Sequence, residues 1–254
     1  MNISGQAAVV TGGGSGLGAA VAQHLSSSGA KVALLDIDAS AAGEVASKIG
    51  GLSYGCDVSD EDDVGHALAE ARDQHGPARI CVNCAGVGSA VRIVGRRGLM
   101  PLDHFKRELE INLVGTFNVM RLAVAEMSTL EPLEETRERG IVVNTASIAA
   151  YEGQIGQAPY AASKAGIVGL TLEAAREFGS LGVRVMTVAP GLFTTPMWEG
   201  TPDEVYDNLK AQMVFPKRMG HPEEFAKLVG HIVENTMLNG EVIRLDGAIR
   251  MQAR

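Results

Sequence analysis

Short, almost wholly apolar segments alternate with longer amphipathic segments, and this alternation constrains the fold of the chain more than any other feature. The apolar segments have the length of strands, and the segments between them have the spacing of helices. Strands that are apolar at nearly every position lie in parallel sheets covered on both faces. The pattern predicts an α/β fold with a single doubly wound, Rossmann-type parallel sheet of about seven strands and helices on both faces.

The predicted elements extend over the whole chain. The predicted strands are Ala7–Thr11, Lys31–Asp36, Leu52–Cys56, Arg79–Cys84, Ile141–Ala146, Val183–Ala189 and Val242–Leu245. The predicted helices span residues 15–28, 39–49, 60–75, 103–129, 157–180, 203–213 and 222–235. A length of 254 residues suits one large domain. Because no repeat or linker divides the chain, we predict a single domain over residues 1–254.

Two segments interrupt the regular order of elements. Residues 87–101 are rich in glycine and arginine, and they are predicted to form an exposed loop after the fourth strand. This loop contains Arg92, Arg96 and Arg97. Residues 191–216 are apolar but contain three prolines, which prevent one continuous helix. We interpret them as a substrate lid or as an irregular packed connection.

Charge and hydropathy exclude several classes of partner. The net charge of −8 and the pI near 5.3 disfavour binding to a nucleic-acid backbone. No apolar run approaches the ~20 residues that a membrane span needs, so no membrane partner is predicted. The first strand-like segment begins near Gln6, which leaves no room for a cleavable targeting peptide. We therefore expect a cytoplasmic protein, with an uncleaved organelle signal as an open alternative.

The three cysteines, Cys56, Cys81 and Cys84, fit a reducing compartment better than a disulfide scaffold. Cys81 and Cys84 have the Cys-x-x-Cys spacing of redox and zinc sites. In a strand, however, an offset of three residues places two side chains on opposite faces. No second Cys or His pair follows that would complete a zinc site. We therefore predict neither a redox role for this pair nor a metal site in the chain.

A glycine-rich turn, Thr11–Gly18, lies between the first predicted strand and the first predicted helix. In this setting glycines let the backbone approach a pyrophosphate closely. The start of the helix adds N–H groups and the positive end of its dipole. The turn therefore predicts a dinucleotide site that includes Gly12, Gly16 and Gly18.

Acidic residues at the ends of the next two strands indicate which dinucleotide binds. Asp36 ends the second predicted strand, where a carboxylate accepts hydrogen bonds from ribose hydroxyls and repels a 2′-phosphate. No Arg or Lys follows it directly, so NAD is preferred over NADP as the cofactor. Asp57 and Val58 follow the third strand and are placed to flank the adenine. A helix N-cap is the alternative role for Asp57.

Tyr160 and Lys164 are four residues apart in a predicted helix and therefore lie on one face. Lowering a phenol pKa from ~10 to ~7 requires about 4 kcal/mol. A cation ~4 Å away at an effective dielectric of ~20 supplies roughly that amount. The pair therefore predicts a tyrosine that exchanges a proton with a substrate oxygen. An exposed amphipathic helix is the alternative for the pair taken alone.

Six motifs stand in order along the chain, and together they are far more specific than any one of them. They are the glycine turn, Asn83–Gly86, Asn112, Ser147, Tyr160 with Lys164, and Pro190–Gly191 followed by Thr195. In this order they resemble the short-chain dehydrogenase/reductase family over essentially the whole chain. Residues 151–157, 189–193 and 239–251 are similar to one branch, the type II 3-hydroxyacyl-CoA dehydrogenases, also called type 10 17β-hydroxysteroid dehydrogenases. The sequence of the 87–101 loop does not match that branch.

The resemblance implies roles for the catalytic residues. Tyr160 would be the general base during alcohol oxidation and the general acid in the reverse direction. Lys164 would lower the Tyr160 pKa and hold the nicotinamide ribose, and Ser147 would hydrogen-bond the substrate oxygen. Asn112 would hold a water that relays protons from Lys164; its alternative role is that of a buried hydrogen-bond partner that bends the helix. Gln154 would contact the substrate or lie in a solvated loop.

The resemblance also implies a set of cofactor contacts beyond the glycines and Asp36. These residues are Ser15, Leu17, Asp57, Val58, Cys84, Ala85, Gly86, Tyr160, Lys164, Pro190, Phe193 and Thr195. Ser147, Gln154 and Tyr160 would contact the substrate. A homotetramer is expected on the same basis.

The activity implied is an NAD-dependent oxidoreductase that interconverts a 3-hydroxyacyl-CoA and a 3-ketoacyl-CoA. Arg92, Arg96 and Arg97 would then meet the CoA phosphates, or they would form only a solvated loop. Reduction of a 3-oxoacyl-carrier protein is an alternative, which Asp36 disfavours because those reductases usually take NADPH. Hydroxysteroid oxidation is a further alternative. A structural subunit that keeps the fold without the chemistry is the alternative outside catalysis.

Overall fold

The computed structural model describes residues 1–96, 98–196 and 203–253. Within helix 203–211 it describes only the backbone of residues 203, 205 and 207. The strands are β1 (Ala7–Thr11), β2 (Lys31–Asp36), β3 (Leu52–Gly55), β4 (Ile80–Asn83), β5 (Val94–Gly95), β6 (Gly98–Leu99), β7 (Gly140–Thr145), β8 (Val183–Pro190) and β9 (Val242–Leu245). The α-helices are α1 (Gly16–Ser27), α2 (Ala39–Ile49), α3 (Glu61–His75), α4 (Leu102–Leu109), α5 (Gly115–Ser128), α6 (Ala158–Gly179), α7 (Asp203–Ala211) and α8 (Pro222–Glu234).

The main sheet has seven parallel strands in the order β3-β2-β1-β4-β7-β8-β9. The chain moves outward from β1 to β3, then returns to place β4 on the other side of β1. This reversal leaves a crevice at the carboxyl ends of β1 and β4, where doubly wound sheets bind their ligands. The predicted α/β fold, its doubly wound order and its seven strands are confirmed.

Alternating residues of the strands supply two separate cores. In β1, Ala8 and Val10 belong to a cluster with α1, α2 and α8, whereas Val9 belongs to a cluster with α3, α5 and α6. Each sheet face is therefore covered by helices, which explains why the strands are apolar at almost every position. In the described part of the chain, no helix combines the length and the hydropathy that crossing a bilayer requires.

Two local features differ from the predicted elements. The exposed loop at 87–101 contains a small antiparallel hairpin, in which Val94 pairs with Leu99. The single helix predicted at 103–129 is instead α4 and α5 joined by a π-helical turn, Glu110–Val114. In such a turn the hydrogen bonds run from residue i to i+5, which makes room for one extra residue in the helix.

The 191–216 segment is packed rather than detached where it is described. Leu192, Leu209 and Met213 form a small core with Ile148 and Ile249. These contacts attach the described residues of the segment to the rest of the domain, and its role as a substrate lid stays a prediction. Part of the predicted lid, residues 197–202, lies outside the described residues.

A buried ion pair joins β7, β8 and α8 on the side of the sheet opposite the crevice. The Arg184 guanidinium donates to the Glu138 carboxylate and to the main-chain carbonyls of Ile232, Val233, Asn235 and Leu238. The Met1 ammonium also donates to Glu138, at 2.9 Å. Burial acts to raise the Glu138 pKa, but these hydrogen bonds outweigh burial and hold the pKa below its usual value.

We expect Arg184→Met to lower the free energy of unfolding by about 3 kcal/mol, because it leaves the Glu138 carboxylate and several carbonyls buried with fewer partners. Urea unfolding followed by circular dichroism measures the change. Arg176→Met, at an exposed position on α6, is the matched control and should change stability by no more than about 0.5 kcal/mol. Equal effects of the two substitutions would contradict a stabilising role for the buried pair.

Candidate functional site

A cleft of about 580 Å³ opens at the carboxyl edge of the sheet. Its walls come from the residues that follow β1, β4, β7 and β8, together with the start of α6. Among the predicted site residues, those that line the cleft are Gly12, Ser15, Gly16, Leu17, Gly18, Asp36, Asp57, Val58, Cys84, Ala85, Gly86, Ser147, Gln154, Tyr160, Lys164, Pro190, Phe193 and Thr195. The fold therefore brings nearly all of them to one place.

The glycine turn comes too close to neighbouring backbone to tolerate side chains. Gly12 has a φ of +63°, and a Cβ there would lie 2.8 Å from the Ala85 nitrogen. A Cβ on Gly18 would lie 2.0 Å from the Gly12 oxygen. Ser15 is the N-cap of α1, and its hydroxyl makes no capping hydrogen bond. Such a backbone cradle at the start of a helix fits a pyrophosphate.

Asp36 is fixed by the backbone beside this cradle. One carboxylate oxygen accepts from the Gly14 N–H and the other from the Asp38 N–H, each at 2.9 Å. A carboxylate has about four acceptor sites, so two remain for the hydroxyls of a ribose. The residue after it, Ile37, is exposed and apolar and brings no positive charge that would accept a 2′-phosphate.

Asp57 does not cap helix α3. Its carboxylate accepts from both the main-chain N–H and the hydroxyl of Ser59, and these bonds lower its pKa. The N-cap of α3 is instead Asp60, which accepts from the N–H groups of Asp62 and Asp63. The alternative that Asp57 caps the helix is therefore wrong, and the residue lines the cleft as a carboxylate next to Val58.

The two cysteines of the Cys-x-x-Cys pair face opposite sides of the sheet, as predicted. Cys81 lies in the core on the α3 and α5 side, whereas Cys84 packs against the other core and reaches the cleft. Burial raises the pKa of Cys84 to about 11 and that of Cys81 to about 12, so both thiols stay protonated at neutral pH. In the described residues, no three His, Cys, Asp or Glu side chains converge as a metal site would require.

Tyr160 and Lys164 lie one turn apart on α6 and face the end of β7. The Lys164 Nζ donates to the Thr145 carbonyl at 2.8 Å and lies 5.7 Å from the centroid of the Tyr160 ring. Tyr160 also hydrogen-bonds Ser147, the second residue after β7. Ser147 is held in place because its Oγ accepts from the Ala149 N–H at 3.1 Å. A phenol, a hydroxyl and an ammonium therefore converge on one wall of the cleft.

The electrostatics of this group differ from the expectation. Burial raises the Tyr160 pKa above its usual value, and the hydrogen bond with Ser147 offsets only part of that effect. Lys164 was expected to lower this pKa. Instead, burial lowers the Lys164 pKa to about 8, and its Nζ is bonded to a carbonyl rather than directed at the phenol oxygen. In the protein without a cofactor, burial therefore affects the Tyr160 pKa more than the Lys164 charge does.

Asn112 lies behind the cleft wall and does not line the cleft. It is fully buried within the π-helical turn. Its side chain accepts from the Val87 N–H and donates to the Val87 carbonyl, both at 2.8 Å, and it also donates to Ser163 at 3.0 Å. The side chain therefore joins the loop after β4 to α6, as in the alternative of a buried hydrogen-bond partner. Its role with a water stays a prediction.

Phe193 and Thr195 follow β8 at the other side of the cleft. The Phe193 ring packs edge-on against Phe225 with 6.3 Å between centroids. Thr195 lies over the glycine turn, since a Cβ on Gly16 would be 3.4 Å from the Thr195 Cβ.

Gln154 is half-buried, and its Nε2 donates to the Gln252 carbonyl at 3.1 Å. The C-terminal tail thus closes the far end of the cleft through Met251.

The arginines of the 87–101 loop do not reach this cleft where they are described. Arg92 and Arg96 are exposed and do not line it, and Arg97 lies outside the described residues. Arg107 on α4 lines the cleft instead, and its charge contributes to lowering the Asp57 pKa. Arg107 was not among the predicted site residues, because its position depends on how α4 packs over the crevice.

Comparison with known proteins gives concordant results. The short chain dehydrogenase family matches residues 6–205. A Homo sapiens protein named 3-hydroxyacyl-CoA dehydrogenase type-2 is 49% identical over 255 residues, which span 99% of this chain and 97% of the relative.

Solved structures agree with the sequence comparison. The crystal structure of 3-hydroxyacyl-CoA dehydrogenase type-2 from Mycobacterium avium is 42% identical with a TM-score of 0.93 and covers 98% of both chains. A 3-ketoacyl-(acyl-carrier-protein) reductase from Brucella melitensis, complexed with NADH, is 26% identical with a TM-score of 0.88, covering 98% of this chain and 100% of that one. Likeness of this extent, over a cleft that gathers the expected side chains, shows that the chain is an oxidoreductase of the short-chain dehydrogenase/reductase family.

Proposed function

We propose that the protein is an NAD-dependent dehydrogenase that interconverts a 3-hydroxyacyl-CoA and a 3-ketoacyl-CoA. The observation that carries the proposal is one continuous cleft. It has a glycine cradle and the Asp36 carboxylate at one end, and Tyr160, Ser147 and Lys164 at the other. The names of the human and Mycobacterium avium relatives support the choice of substrate.

The cofactor site is the part of the cleft made by the glycine turn and the ends of β2 and β4. Its backbone cradle would hold the pyrophosphate, and Asp36 would accept hydrogen bonds from the adenosine ribose. When bound, the nicotinamide supplies the acceptor for the hydride that leaves the substrate carbon. Cys84, Phe193 and Thr195 would contact the cofactor along the cleft wall.

Proton transfer falls to Tyr160 in this proposal. In oxidation its phenolate takes the hydroxyl proton of the substrate, and in reduction the phenol returns a proton to the ketone oxygen. Ser147, bonded to Tyr160 and fixed by its own turn, orients that oxygen. The positive charge of oxidised nicotinamide would lower the Tyr160 pKa and so counter the effect of burial.

Lys164 and Asn112 would assist the proton transfer by Tyr160 from positions at and behind the cleft wall. The buried Lys164 ammonium is available to the ribose hydroxyls of the cofactor. A Cβ on Gly86 would lie 3.1 Å from the Asn112 Oδ1 and 3.4 Å from the Lys164 Nζ, so the two side chains flank the same glycine. We propose that a water beside Asn112 carries protons between Lys164 and solvent.

The substrate class rests on the apolar wall and on the named relatives. Leu192, Met251 and Ile148 line the cleft beyond Tyr160 and would surround an acyl chain. Arg92 and Arg96 lie outside the cleft, so they would meet only parts of CoA that project from its mouth. Reduction of a carrier-protein substrate is the second candidate, supported by the likeness to the NADH-bound reductase from Brucella melitensis.

We further propose that the protein is a homotetramer, as the family resemblance led us to expect, and that it is cytoplasmic. Phe117 on α5 and Leu172 on α6 are exposed apolar side chains, and we propose that these two helices pair between subunits. Analytical ultracentrifugation of the purified chain tests the assembly.

Asp36→Asn is expected to reduce the preference for NAD over NADP by at least about tenfold in kcat/KM, because the amide keeps the shape but removes the charge that repels a 2′-phosphate. Steady-state kinetics with each cofactor measure the ratio. Asp38→Asn is the matched control: its carboxylate caps α2 and should leave the ratio unchanged. A preference for NADP in the unmodified protein would contradict the choice of cofactor.

Tyr160→Phe is expected to lower kcat by about 10² to 10⁴, since it removes the proton-transfer group and keeps the ring. Stopped-flow measurement of NADH formation detects the loss. Tyr151→Phe is the control, because Tyr151 is exposed and does not line the cleft. Wild-type turnover by Tyr160→Phe would exclude this residue as the general base.

Turnover across several substrates tests the substrate class. We expect the highest kcat/KM with 3-hydroxyacyl-CoAs, and at least about tenfold lower values with a steroid alcohol and with a 3-hydroxyacyl-carrier protein. NADH absorbance reports each rate in the oxidative direction. A carrier-protein substrate that exceeds every acyl-CoA would replace the leading assignment with the second candidate.

A further inference from the structure

A polar cluster that has no part in the proposed mechanism adjoins the cleft. The Ser89 Oγ lies 2.6 Å from the His104 Nε2 and donates a short hydrogen bond to the Glu108 carboxylate. The His104 Nε2 is 3.3 Å from the Glu108 Oε1. Ser89 lines the cleft, and the His104 side chain is 34% exposed. The cluster therefore runs from the cleft wall to the protein surface.

Glu108 is the unusual member of this cluster. It is only 3% exposed, and its Oε2 is buried without a hydrogen-bond partner among the described residues. A carboxylate in this state is costly to bury, because one oxygen has lost water without replacement. Lys106, two residues earlier on α4, does not neutralise the Glu108 carboxylate, because it pairs with Asp103 at the surface.

The arrangement is not that of a nucleophilic triad. In a Ser-His-acid triad the acid bonds the imidazole nitrogen remote from the serine and so orients the ring. Here the Glu108 carboxylate contacts both the serine hydroxyl and the same Nε2 that faces the serine. The serine proton is directed to the carboxylate, so the cluster gives no activated nucleophile.

The cluster instead lies beside the catalytic tyrosine. Gly88, which precedes Ser89, packs so closely that a Cβ there would be 3.3 Å from the Tyr160 Cδ2. Helix α4 packs on α6, and Asn112, one turn after Glu108, is bonded to Ser163 of α6. After burial, the Glu108 charge is the further influence that raises the Tyr160 pKa.

We propose that Glu108 is a positioning residue for the Tyr160 general base: a buried negative charge that Ser89 and His104 hold at the cleft wall. This inference rests on the proposed function, because that function assigns the proton transfer to Tyr160. The charge keeps the phenol protonated to higher pH. It therefore favours the form that reduces a ketone and moves the onset of alcohol oxidation toward alkaline pH.

The other charged groups near Glu108 have separate partners. On α6, the Lys164 ammonium is bonded to the Thr145 carbonyl. On α4, Arg107 is exposed and its charge acts on Asp57, while His104 belongs to the cluster itself. Glu108 is thus the carboxylate that acts on Tyr160 in the described structure.

The test is the pH dependence of kcat/KM for alcohol oxidation. Removing the charge with Glu108→Gln is expected to shift the midpoint of the rise to lower pH by about one unit. The midpoint for ketone reduction should move in the same direction, since the same phenol governs both. Glu110→Gln is the matched control, because it removes an exposed carboxylate from the π-helical turn that directly follows α4 and should leave the midpoint unchanged.

Several outcomes overturn the inference. An unchanged midpoint in Glu108→Gln, or a shift to higher pH, contradicts it. Should the glutamine variant fail to fold, Glu108→Leu removes the charge in a form suited to burial and must shift the midpoint downward as well. Tyr160→Phe distinguishes a failure of this inference from a failure of the proposed function. If Tyr160→Phe is inactive and the midpoint of Glu108→Gln is unshifted, only the role of Glu108 is rejected. If Tyr160→Phe is active, the proposed function is rejected.

Discussion

The hydrogen bond from the buried Lys164 ammonium to the Thr145 carbonyl holds the site together. It fastens the helix that carries Tyr160 to the end of the strand that leads to Ser147. An ammonium loses much of its hydration when buried, so it needs a strong acceptor, and the end of a parallel strand offers one. This contact therefore ties the helix of the phenol to the strand that precedes the serine. Asn112 adds a second fastening between α6 and the loop after β4.

The same burial sets the chemistry of the group. It lowers the Lys164 pKa and raises the Tyr160 pKa, so each residue is shifted toward its neutral form. For the proton transfer proposed for Tyr160, the pKa of the phenol depends on any positive charge that reaches it and on any negative charge nearby. The proposed cofactor would bring the first, and Glu108 brings the second. The balance of these charges decides the pH at which the site can accept a proton.

Most of the fold could be predicted from the sequence because its signals are local. The bounds of β1, β2, β9 and α2 follow directly from apolar runs and from the polar residues between them. The π-helical turn at Glu110–Val114 has no such signal, since one extra residue hardly changes the periodicity of a helix. Strands of two residues, as in the 94–99 hairpin, are too short to show a period at all.

The same distinction, between features with a local sequence signal and features without one, applies to the residues of the site. Its glycines, Asp36 and the Tyr160–Lys164 pair could be predicted because each lies at a strand end or one helical turn from its partner. Arg107 and Glu108 could not, because their positions depend on how α4 packs against residues distant in sequence. The direction of the Tyr160 pKa was also missed, since burial is a property of the folded chain.

The most direct test of the account is the fate of the hydrogen on the substrate carbon. A 3-hydroxyacyl-CoA deuterated at the carbon that bears the hydroxyl would be oxidised with NAD, and the NADH formed would be examined by mass spectrometry and NMR. We predict one deuterium per NADH, at the nicotinamide C4, and a ketone product. Deuterium released to water, or ketone formed without NADH, would contradict it.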